Sequence, residues 1–397
     1  MAHQWTTPPE YLDHNESRVV KVTDERELAE AIRGATGPLR IRGGGTRAVG
    51  RVVAGEDLDV SGLRGIGLYE PGALTLVAGA GTPLAEVEAA LAAEGQRLAF
   101  EPADWRGLLG TVGKPTLGGM VAANVSGPRR VQAGACRDAL LGVRFVDGSG
   151  TVVKNGGRVM KNVTGYDLVK LMAGSWGTLG VLSEVSLKVQ PAPEAAAALV
   201  LAGLDPAAAV GAMTAALRSP YDVTGAAHLP WGTLLRIEGF AGSVEYRAGR
   251  LAEVLAPFGE VLVERDGAAV AALWQAVRDV APFHGGDGAV WRISLRPSDA
   301  AGFLAALGRN GIGGEAIMDW GGGLVWVRVP DTGDAGEAVI RAETRARGGH
   351  ATLMRASADT RARVAPFPPE AAAVAALSAG LRARFDPRGI LNPGVMG

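Results

Sequence analysis

Glycine-rich turns in the first half of the chain constrain its fold more than any other feature. The 58 glycines among 397 residues far exceed the background of ~7%, and several cluster directly after short apolar segments. Leu39–Arg42 runs into Gly43–Thr46, and Ala73–Ala78 runs into Gly79–Thr82. Because glycine allows tight turns and close approach of bare backbone, this pattern is typical of a protein that wraps a ligand with its main chain.

The segment Gly43–Ala48 fits the G-x-G-x-x-G/A dinucleotide pattern after a predicted strand. That pattern needs a helix N-terminus directly after it, and the glycines and strand-like residues of Val49–Leu58 do not predict one. A Rossmann site is therefore not expected. Three successive glycines can instead form a nest of backbone N–H groups that binds an anion, and an ordinary tight turn is the alternative.

Two further glycine patterns differ in what they indicate. Gly107–Pro115 resembles a phosphate-binding Walker loop, but its spacing is one residue too long and Pro115 replaces the Ser or Thr that meets Mg²⁺. We reject that interpretation. In Thr116–Asn124 small residues recur, so a large planar ligand could lie against bare backbone there. Close packing between two strands is the alternative for this segment.

The composition changes near Pro191–Glu194, where we place a boundary between two regions, 1–191 and 192–397. The first region reads as strands and turns with two clear helices, one capped by Asp24 and one that begins at Pro83. Val181–Val189 alternates apolar and polar residues and predicts a half-buried strand. The second region alternates predicted helices (Ser243–Leu255, Ala268–Val280, Ala335–Arg347, Pro369–Arg384) with predicted strands (Leu234–Gly239, Ala289–Leu295, Leu324–Val329).

Charge and cysteine content exclude several classes of protein. The formal net charge is −1 and no basic block is present, so we expect no nucleic-acid partner. The single Cys136 excludes an intramolecular disulfide framework, a Cys-ligated zinc site and a self-contained iron–sulfur cluster. We interpret Cys136 as a small buried residue rather than a reactive thiol. Neither a signal peptide nor a transmembrane stretch is expected.

Ordered motifs along most of the chain resemble a known family of flavoproteins. Five segments stand in the order typical of the vanillyl-alcohol-oxidase (PCMH) type of FAD-binding domain: Ile41–Thr46, Gly79–Gly95, Thr116–Asn124, Arg137–Gly142 and Gly177–Val181. The C-terminal Phe385–Gly394 is similar to the tail of that family. Four more segments are similar to the smaller FAD-binding subunits of bacterial glycolate oxidases: Ser126–Arg130, Val159–Leu168, Asp319–Gly322 and Gly348–Thr352.

The resemblance implies an α+β fold with bound FAD. It implies a PCMH-type FAD-binding domain of two α+β sub-domains over 1–191, and an α+β cap domain over 192–397 whose tail returns to the FAD domain. No histidine stands in the first-half motifs where covalent attachment is common, so we expect the FAD to be non-covalent. The FAD-contacting residues that the resemblance implies are Arg42, Gly43, Gly44, Gly45, Thr46, Thr116, Gly118, Gly119, Ala122, Asn124, Gly177 and Val181.

Oxidation of a 2-hydroxy acid, the reaction that the resemblance implies, needs a base for the hydroxyl proton and a cation for the carboxylate. Arg129 and Arg130 offer guanidinium forks, with a surface or subunit contact as the alternative. Lys161 and Tyr166 are candidates for orienting an oxygen near the flavin, and Tyr166 could equally be a packing residue. No clear general base emerges.

No metal site is expected. The segment His284–Gly288 resembles a His-containing metal motif of the larger, catalytic flavin subunit. The remaining histidines, at positions 3, 14, 228 and 350, show no paired spacing, so we interpret the segment as a glycine-rich loop.

Two functions therefore stay open. The first is an FAD-dependent component of a glycolate oxidase-like complex that passes electrons from glycolate or a similar 2-hydroxy acid to an iron–sulfur subunit. The second is a non-catalytic, flavin-bearing subunit that stabilises the catalytic flavin subunit and the iron–sulfur subunit. We expect a cytoplasmic location. Whether partner subunits attach the protein to the inner membrane stays open.

Overall fold

The computed structural model describes residues 19–158 and 165–396. Helices and strands are mixed along the chain, which confirms the α+β class. The strands before residue 192 are β1 (Val19–Lys21), β2 (Leu39–Arg42), β3 (Glu56–Asp59), β4 (Ile66–Glu70), β5 (Thr75–Gly79), β6 (Gln96–Arg97), β7 (Leu140–Val146), β8 (Val152–Gly156), β9 (Val181–Lys188) and β10 (Gln190–Pro191). The helices are α1 (Glu25–Gly34), α2 (Leu84–Ala93), α3 (Arg106–Leu109), α4 (Leu117–Ala122), α5 (Arg130–Ala133), α6 (Cys136–Ala139) and α7 (Leu168–Met172).

Two larger sheets organise the first half, and β6 and β10 form a separate two-stranded antiparallel pair. A parallel sheet has the order β1-β3-β2, and a five-stranded antiparallel sheet has the order β4-β5-β9-β7-β8. The predicted cap of α1 is confirmed, since Asp24 Oδ1 accepts a hydrogen bond from Glu27 N at 2.8 Å. Helix α1 then buries Leu28 and Ile32 in a core that it shares with the parallel sheet.

The prediction that β9 is half-buried is wrong. Only Glu184 and Lys188 of this strand escape burial. The strand lies between β5 and β7 in the centre of its sheet and has a core on each side. Val181 packs in the core around α1 and β2, whereas Leu182 and Val185 pack in the main core. Alternation in the sequence therefore marked serines that are covered rather than a face open to water.

The second half is built on one antiparallel sheet of eight strands, ordered β14-β11-β13-β12-β16-β17-β15-β18. Its strands are β11 (Ala195–Leu201), β12 (Val223–Leu229), β13 (Gly232–Gly239), β14 (Leu262–Glu264), β15 (Ala289–Ser294), β16 (Glu315–Asp319), β17 (Leu324–Val329) and β18 (His350–Arg355). Its helices are α8 (Pro206–Arg218), α9 (Ala241–Leu255), α10 (Gly267–Arg278), α11 (Ala300–Arg309), α12 (Glu337–Ala346), α13 (Ala358–Arg363) and α14 (Ala372–Phe385). The helices and strands predicted here are confirmed with small shifts at their ends.

The two faces of the large sheet bury different cores, as the period of two along a strand requires. On β15, Trp291 and Ile293 pack into a core formed within the second half. Val290 on the opposite face belongs to a core that also contains Phe100 and Trp105 of the first half. Trp105 and Trp326 meet edge to face with ring centroids 6.5 Å apart. The sheet therefore packs directly on the segment around residues 98–109.

The end of the chain contacts the beginning of the fold. Leu39 N donates to Ile390 O at 2.7 Å, and Asn392 N donates to Leu39 O at 3.0 Å, so the tail runs beside β2. The division into 1–191 and 192–397 stays a prediction. Among the described residues, no helix has the length and apolar character needed to cross a membrane.

Candidate cofactor site

A cavity of about 450 Å³ opens where the loop after β2 meets α4, the start of β9 and the C-terminal tail. Every predicted FAD-contacting residue except Asn124 lines it. Asn124 has a left-handed backbone (φ 48°), and its Oδ1 accepts from Arg137 N at 3.0 Å. Its side chain therefore supports the start of α6 instead of facing the cavity. The other predicted residues come together although they are far apart in sequence.

The glycine loop after β2 is packed too closely for a side chain at Gly43 or Gly44. A Cβ added to Gly44 would lie 1.7 Å from Lys114 O, and one added to Gly43 would lie 2.5 Å from Thr116 Oγ1. A Cβ added to Gly113 would in turn lie 2.3 Å from Gly44 O. The rejected Walker-like segment thus forms a wall behind the glycine loop. Bare backbone is required here by packing as well as by the turn.

The segment at 116–124 contains a short helix, so the alternative of close packing between two strands is wrong, whereas a ligand lying against its backbone stays a prediction. Thr116 caps α4 by accepting a hydrogen bond from Gly119 N at 3.3 Å. A Cβ on Gly118 would lie 2.7 Å from Ala80 Cβ, so Gly118 serves close packing against the turn after β5. The first turn of this helix therefore faces the loop that begins at Gly43, and a helix end shares the cavity with the glycine loop.

Asn392 is a cavity residue to which sequence reasoning gave no role, although its segment was noted in the tail motif. Its Oδ1 accepts from Ile41 N at 2.8 Å and its Nδ2 donates to Trp176 O at 2.9 Å. Its backbone is left-handed (φ 44°), which asparagine tolerates better than most residues. A Cβ on Gly177 would lie 2.9 Å from Asn392 Nδ2. The asparagine thus joins β2 to the turn before β9 across the cavity.

The charged lining of the cavity is entirely cationic in the part of the chain that the structure describes: Arg40, Arg42, Arg47, Arg51 and Arg361, with no Asp, Glu, His or Lys. Two of these arginines are already paired with an acid outside the lining. Arg40 Nε and Arg42 Nη1 both donate to Asp57, the latter at 2.9 Å. Burial acts to raise the pKa of Asp57, but the two arginines outweigh it and hold that pKa below its usual range.

Arg47 shows that the cavity fits an anionic group. Its Nε and Nη2 atoms are buried, and neither has a hydrogen-bond partner among the described residues. Burial lowers the pKa of this guanidinium to about 10, and the charge of Asp104 offsets this only in part. A buried cation without a partner is costly unless a ligand supplies one. The phosphates of FAD have the required charge and acceptor oxygens.

The structure contradicts the role considered for Arg129 as a free fork for a carboxylate. Its Nε and Nη2 both donate to Glu238 at 2.7 Å in a buried ion pair, so the alternative of a surface contact is wrong as well. Arg130 stacks on Trp320, with Cζ 4.4 Å from the ring centroid. Tyr166 is 88% exposed. Lys161 lies outside the described residues. None of the described candidates lines the cavity.

The surroundings of His284 and of Cys136 indicate a structural role for both residues. His284 Nε2 is 2.7 Å from Asp279 O, and the ring packs on Gly107. Cys136 is fully buried, and burial raises the pKa of its thiol to about 12, which confirms its interpretation as an inert core residue. Over residues 19–158 and 165–396 no group of three or more His, Cys, Asp or Glu side chains is arranged to hold a metal ion.

Comparison with known proteins supports the interpretation of the glycine-lined cavity as a cofactor site. Residues 17–156 match the family model described as "FAD binding domain". The chain is 38% identical to glycolate oxidase subunit GlcE of Escherichia coli K12 over 361 residues, covering 90% of this chain and 92% of that protein. It is 32% identical to D-lactate dehydrogenase of Archaeoglobus fulgidus over 44% of this chain and 38% of that protein.

A solved structure extends the likeness to the fold. Alkyldihydroxyacetonephosphate synthase superposes with a TM-score of 0.66 at 17% identity, covering 94% of this chain and 75% of that one. The fold match spans both halves, whereas the family model covers only the first. Together with the extent of the match to GlcE, these findings show that the chain belongs to the GlcE family of glycolate oxidase subunits, FAD-binding proteins of the oxidoreductase class.

Proposed function

We propose that this chain is the FAD-bearing subunit of a complex that oxidises glycolate or a similar 2-hydroxy acid, and that its flavin passes electrons to an iron–sulfur partner. The observation that carries the proposal is the cavity. The bare backbone of Gly43–Gly45, the first turn of α4 and arginine side chains meet there, without an acidic lining residue in the described chain. Such a site suits a dinucleotide diphosphate.

The residues that would hold FAD follow from their places in the cavity. The loop Arg42–Thr46 would take the diphosphate, and Thr116, Gly118, Gly119 and Ala122 would lie along the cofactor. Gly177 and Val181 would close the opposite wall. Bound FAD supplies the acceptor for the hydride of the substrate. No histidine lines the cavity within the described residues, which supports non-covalent binding.

Partner subunits are part of the same proposal. Four cysteine thiolates commonly hold an iron–sulfur cluster, and this chain has one cysteine. A separate iron–sulfur subunit and a catalytic flavin subunit would then complete the complex, and the name of the E. coli relative, glycolate oxidase subunit, supports that arrangement. We place the complex in the cytoplasm, with any contact to the inner membrane made through its partners.

A specific observation favours the second candidate, a flavin-bearing subunit that does not oxidise substrate on its own. Hydride transfer from a 2-hydroxy acid needs a base for the hydroxyl proton. Among the described lining residues no Asp, Glu, His, Lys or Tyr is present. Arg361 is the cavity residue contributed by α13, and it has a guanidinium suited to a carboxylate. The cavity thus offers a cation for the substrate without an evident base.

The visible spectrum and dye reduction separate the two candidates. Purified chain should be yellow, and it is then mixed anaerobically with glycolate, or with acetate, which lacks the hydroxyl, as the control. Bleaching by glycolate alone supports turnover by this subunit. Bleaching only after the catalytic flavin and iron–sulfur subunits are added supports the non-catalytic role. A colourless chain that cannot be reconstituted with FAD contradicts both.

The carboxylate role of Arg361 has its own test. Arg361→Met should lower the rate of glycolate-dependent reduction at least about tenfold, because a charge-assisted pair contributes roughly 1.5–3 kcal/mol, while the FAD content stays unchanged. Arg296→Met, which removes an exposed arginine paired with Asp299 at 2.8 Å, is the matched control. Equal rates in wild type and Arg361→Met would remove Arg361 from the proposal.

A further inference from the structure

Arg47 occupies an unusual place among the arginines of the cavity. It follows the glycine loop directly and lines the cavity, yet its Nε and Nη2 are buried without a hydrogen-bond partner among the described residues. Arg42 donates to Asp57, and Arg361 donates to Gly50 O. Arg47 is therefore the cavity arginine whose buried donors the rest of the described chain leaves unsatisfied.

The guanidinium of Arg47 lies close to both the glycine loop and the start of α4. Its Nη1 is 3.5 Å from the position that a Cβ on Gly119 would take, in the first turn of α4. Thr116 Oγ1 is 3.1 Å from that same position and 2.5 Å from the position of a Cβ on Gly43. Arg47, the glycine loop and the start of α4 thus face one small volume. This placement points to a phosphate rather than to a ligand group farther along the cavity.

The nearest acid does not neutralise Arg47. Asp104 is close enough to act on it electrostatically, but its carboxylate is already bound by Arg106 through Nε and Nη2 at 2.6–3.0 Å. Arg106 also donates its backbone N–H to Asp104 at 3.0 Å. No hydrogen bond joins Asp104 to Arg47 within the described residues. The positive charge of Arg47 is thus compensated only in part by the protein.

We propose that the diphosphate of FAD is the counter-ion of Arg47, so that this buried guanidinium is satisfied only when the cofactor is bound. The inference goes beyond the assignment of FAD to the family, because it assigns a side chain to the diphosphate in addition to the glycine backbone. It also implies that the unpartnered charge of Arg47 lowers the stability of the protein when no cofactor is bound. Replacing Arg47 should therefore weaken the binding of the cofactor without lowering the stability of the cofactor-free protein.

The test compares three variants of the full chain, freed of cofactor, with three ligands. Arg47→Met removes the charge and keeps an unbranched apolar side chain, and Arg47→Lys keeps the charge without the fork. Arg296→Met is the control, since it removes one exposed positive charge that lies outside the cavity lining. The ligands are FAD, ADP (the diphosphate without the flavin) and riboflavin (the flavin without phosphate). Calorimetry gives each Kd, and a melting curve gives the Tm of each empty protein.

The expected results separate Arg47 from general charge effects. Arg47→Met should bind both FAD and ADP about 10- to 100-fold more weakly, as expected for loss of charge-assisted hydrogen bonds, and should bind riboflavin as wild type does. Arg47→Lys should fall between the two, and Arg296→Met should change each Kd less than about threefold, as for an exposed charge. The empty Arg47→Met protein should melt no lower than the empty wild type.

Three results would overturn the inference. The first is unchanged binding of FAD and ADP in Arg47→Met. The second is weaker FAD binding with unchanged ADP binding, which would assign Arg47 to the flavin ring. The third is an unfolded or lower-melting empty Arg47→Met protein, which would make Arg47 a structural residue. A wild-type chain that binds neither FAD nor ADP is a different failure, because it contradicts the cofactor assignment itself.

Discussion

Replacing Glu238 by glutamine tests the buried ion network that joins the two halves of the molecule. Glu238, on β13, accepts two hydrogen bonds from Arg129 at 2.7 Å and one from Arg97 Nη1 at 2.8 Å. Arg236 binds the neighbouring Glu101 through Nη1 and Nη2 at 2.9 and 2.7 Å. Only 6% of the Glu238 side chain and 7% of the Arg129 side chain are exposed. Water therefore cannot replace a lost partner.

The magnitude follows from what the substitution leaves behind. Burial acts to raise the pKa of Glu238, but the hydrogen bonds and charges of Arg129, Arg236 and Arg97 hold that pKa far below its usual range. The folded protein thus depends on the ionised carboxylate. Glutamine keeps the shape but presents an NH₂ group to a guanidinium, leaving three arginines with Glu101 as the remaining acid of the network. Breaking a buried pair from one side costs about 3–5 kcal/mol, and we expect Glu238→Gln to lose that much.

The assay is equilibrium unfolding in urea at pH 7, followed by tryptophan fluorescence and analysed for the free energy of unfolding. Glu245→Gln is the matched control, because Glu245 pairs with Arg265 at 2.7 and 3.0 Å on the surface, and its loss of stability should be far smaller than that of Glu238→Gln. The double variant Glu238→Gln, Arg129→Met should lose less than the sum of the two single losses.

A loss no greater than that of Glu245→Gln would refute the reasoning, since it would mean that the network contributes no more than a surface pair. Additive losses in the double variant would refute the direct coupling of Glu238 and Arg129. Either result would also weaken the explanation of why Arg129 is withheld from substrate chemistry.

Two further predictions concern the cavity and pH. Gly44→Ala should abolish FAD binding in a spectral titration, because its Cβ would lie 1.7 Å from Lys114 O. The control Gly34→Ala, whose Cβ would have nothing within 4 Å, should bind FAD as wild type does. Normal binding by Gly44→Ala would show that the backbone at Lys114 can move to accept the methyl group. Burial, with a smaller effect of the Glu101 charge, raises the pKa of Asp319 to about 7. The folded state then keeps a proton that the unfolded state releases, so this group's contribution to stability falls as pH rises from about 4 to about 7. The difference in free energy of unfolding between Asp319→Asn and wild type should therefore shift in favour of the variant by up to ~4 kcal/mol between pH 4 and pH 8, at ~1.4 kcal/mol per pKa unit. Parallel pH profiles for variant and wild type would contradict this.

Local signals allowed much of the fold to be predicted. The Asp24 cap and the Pro83 helix start were readable because each acts within a few residues. Asp205 and Pro206 carry the same kind of signal at the start of α8. Helix α4 was missed because two glycines in six residues argue against a helix. Its stability comes from the Thr116 cap and from packing on Ala80, which no local pattern shows.

The backbone of the candidate site could be predicted from the sequence, but the burial and pairing of its charged side chains could not. Glycine motifs identified the bare-backbone part of the lining, because the requirement for glycine is written in the sequence. The partner of Arg129 lies 109 residues away at Glu238, so its pairing could not be read from neighbours. Arg47 carries no local mark either, since an arginine after a turn is usually solvated. Its burial depends on α4 and on the segment around Asp104 folding over it.

The tail that carries Asn392 sets an order of events during synthesis. The glycine loop and β2 are made before their neighbour at 390–392, which follows about 350 residues later in the chain. Until then Ile41 N–H and Leu39 N–H have no tail to bind, and a bare strand edge invites wrong pairing. The complete cavity, which Asn392 and Val395 help to line, therefore exists only after those residues have been made.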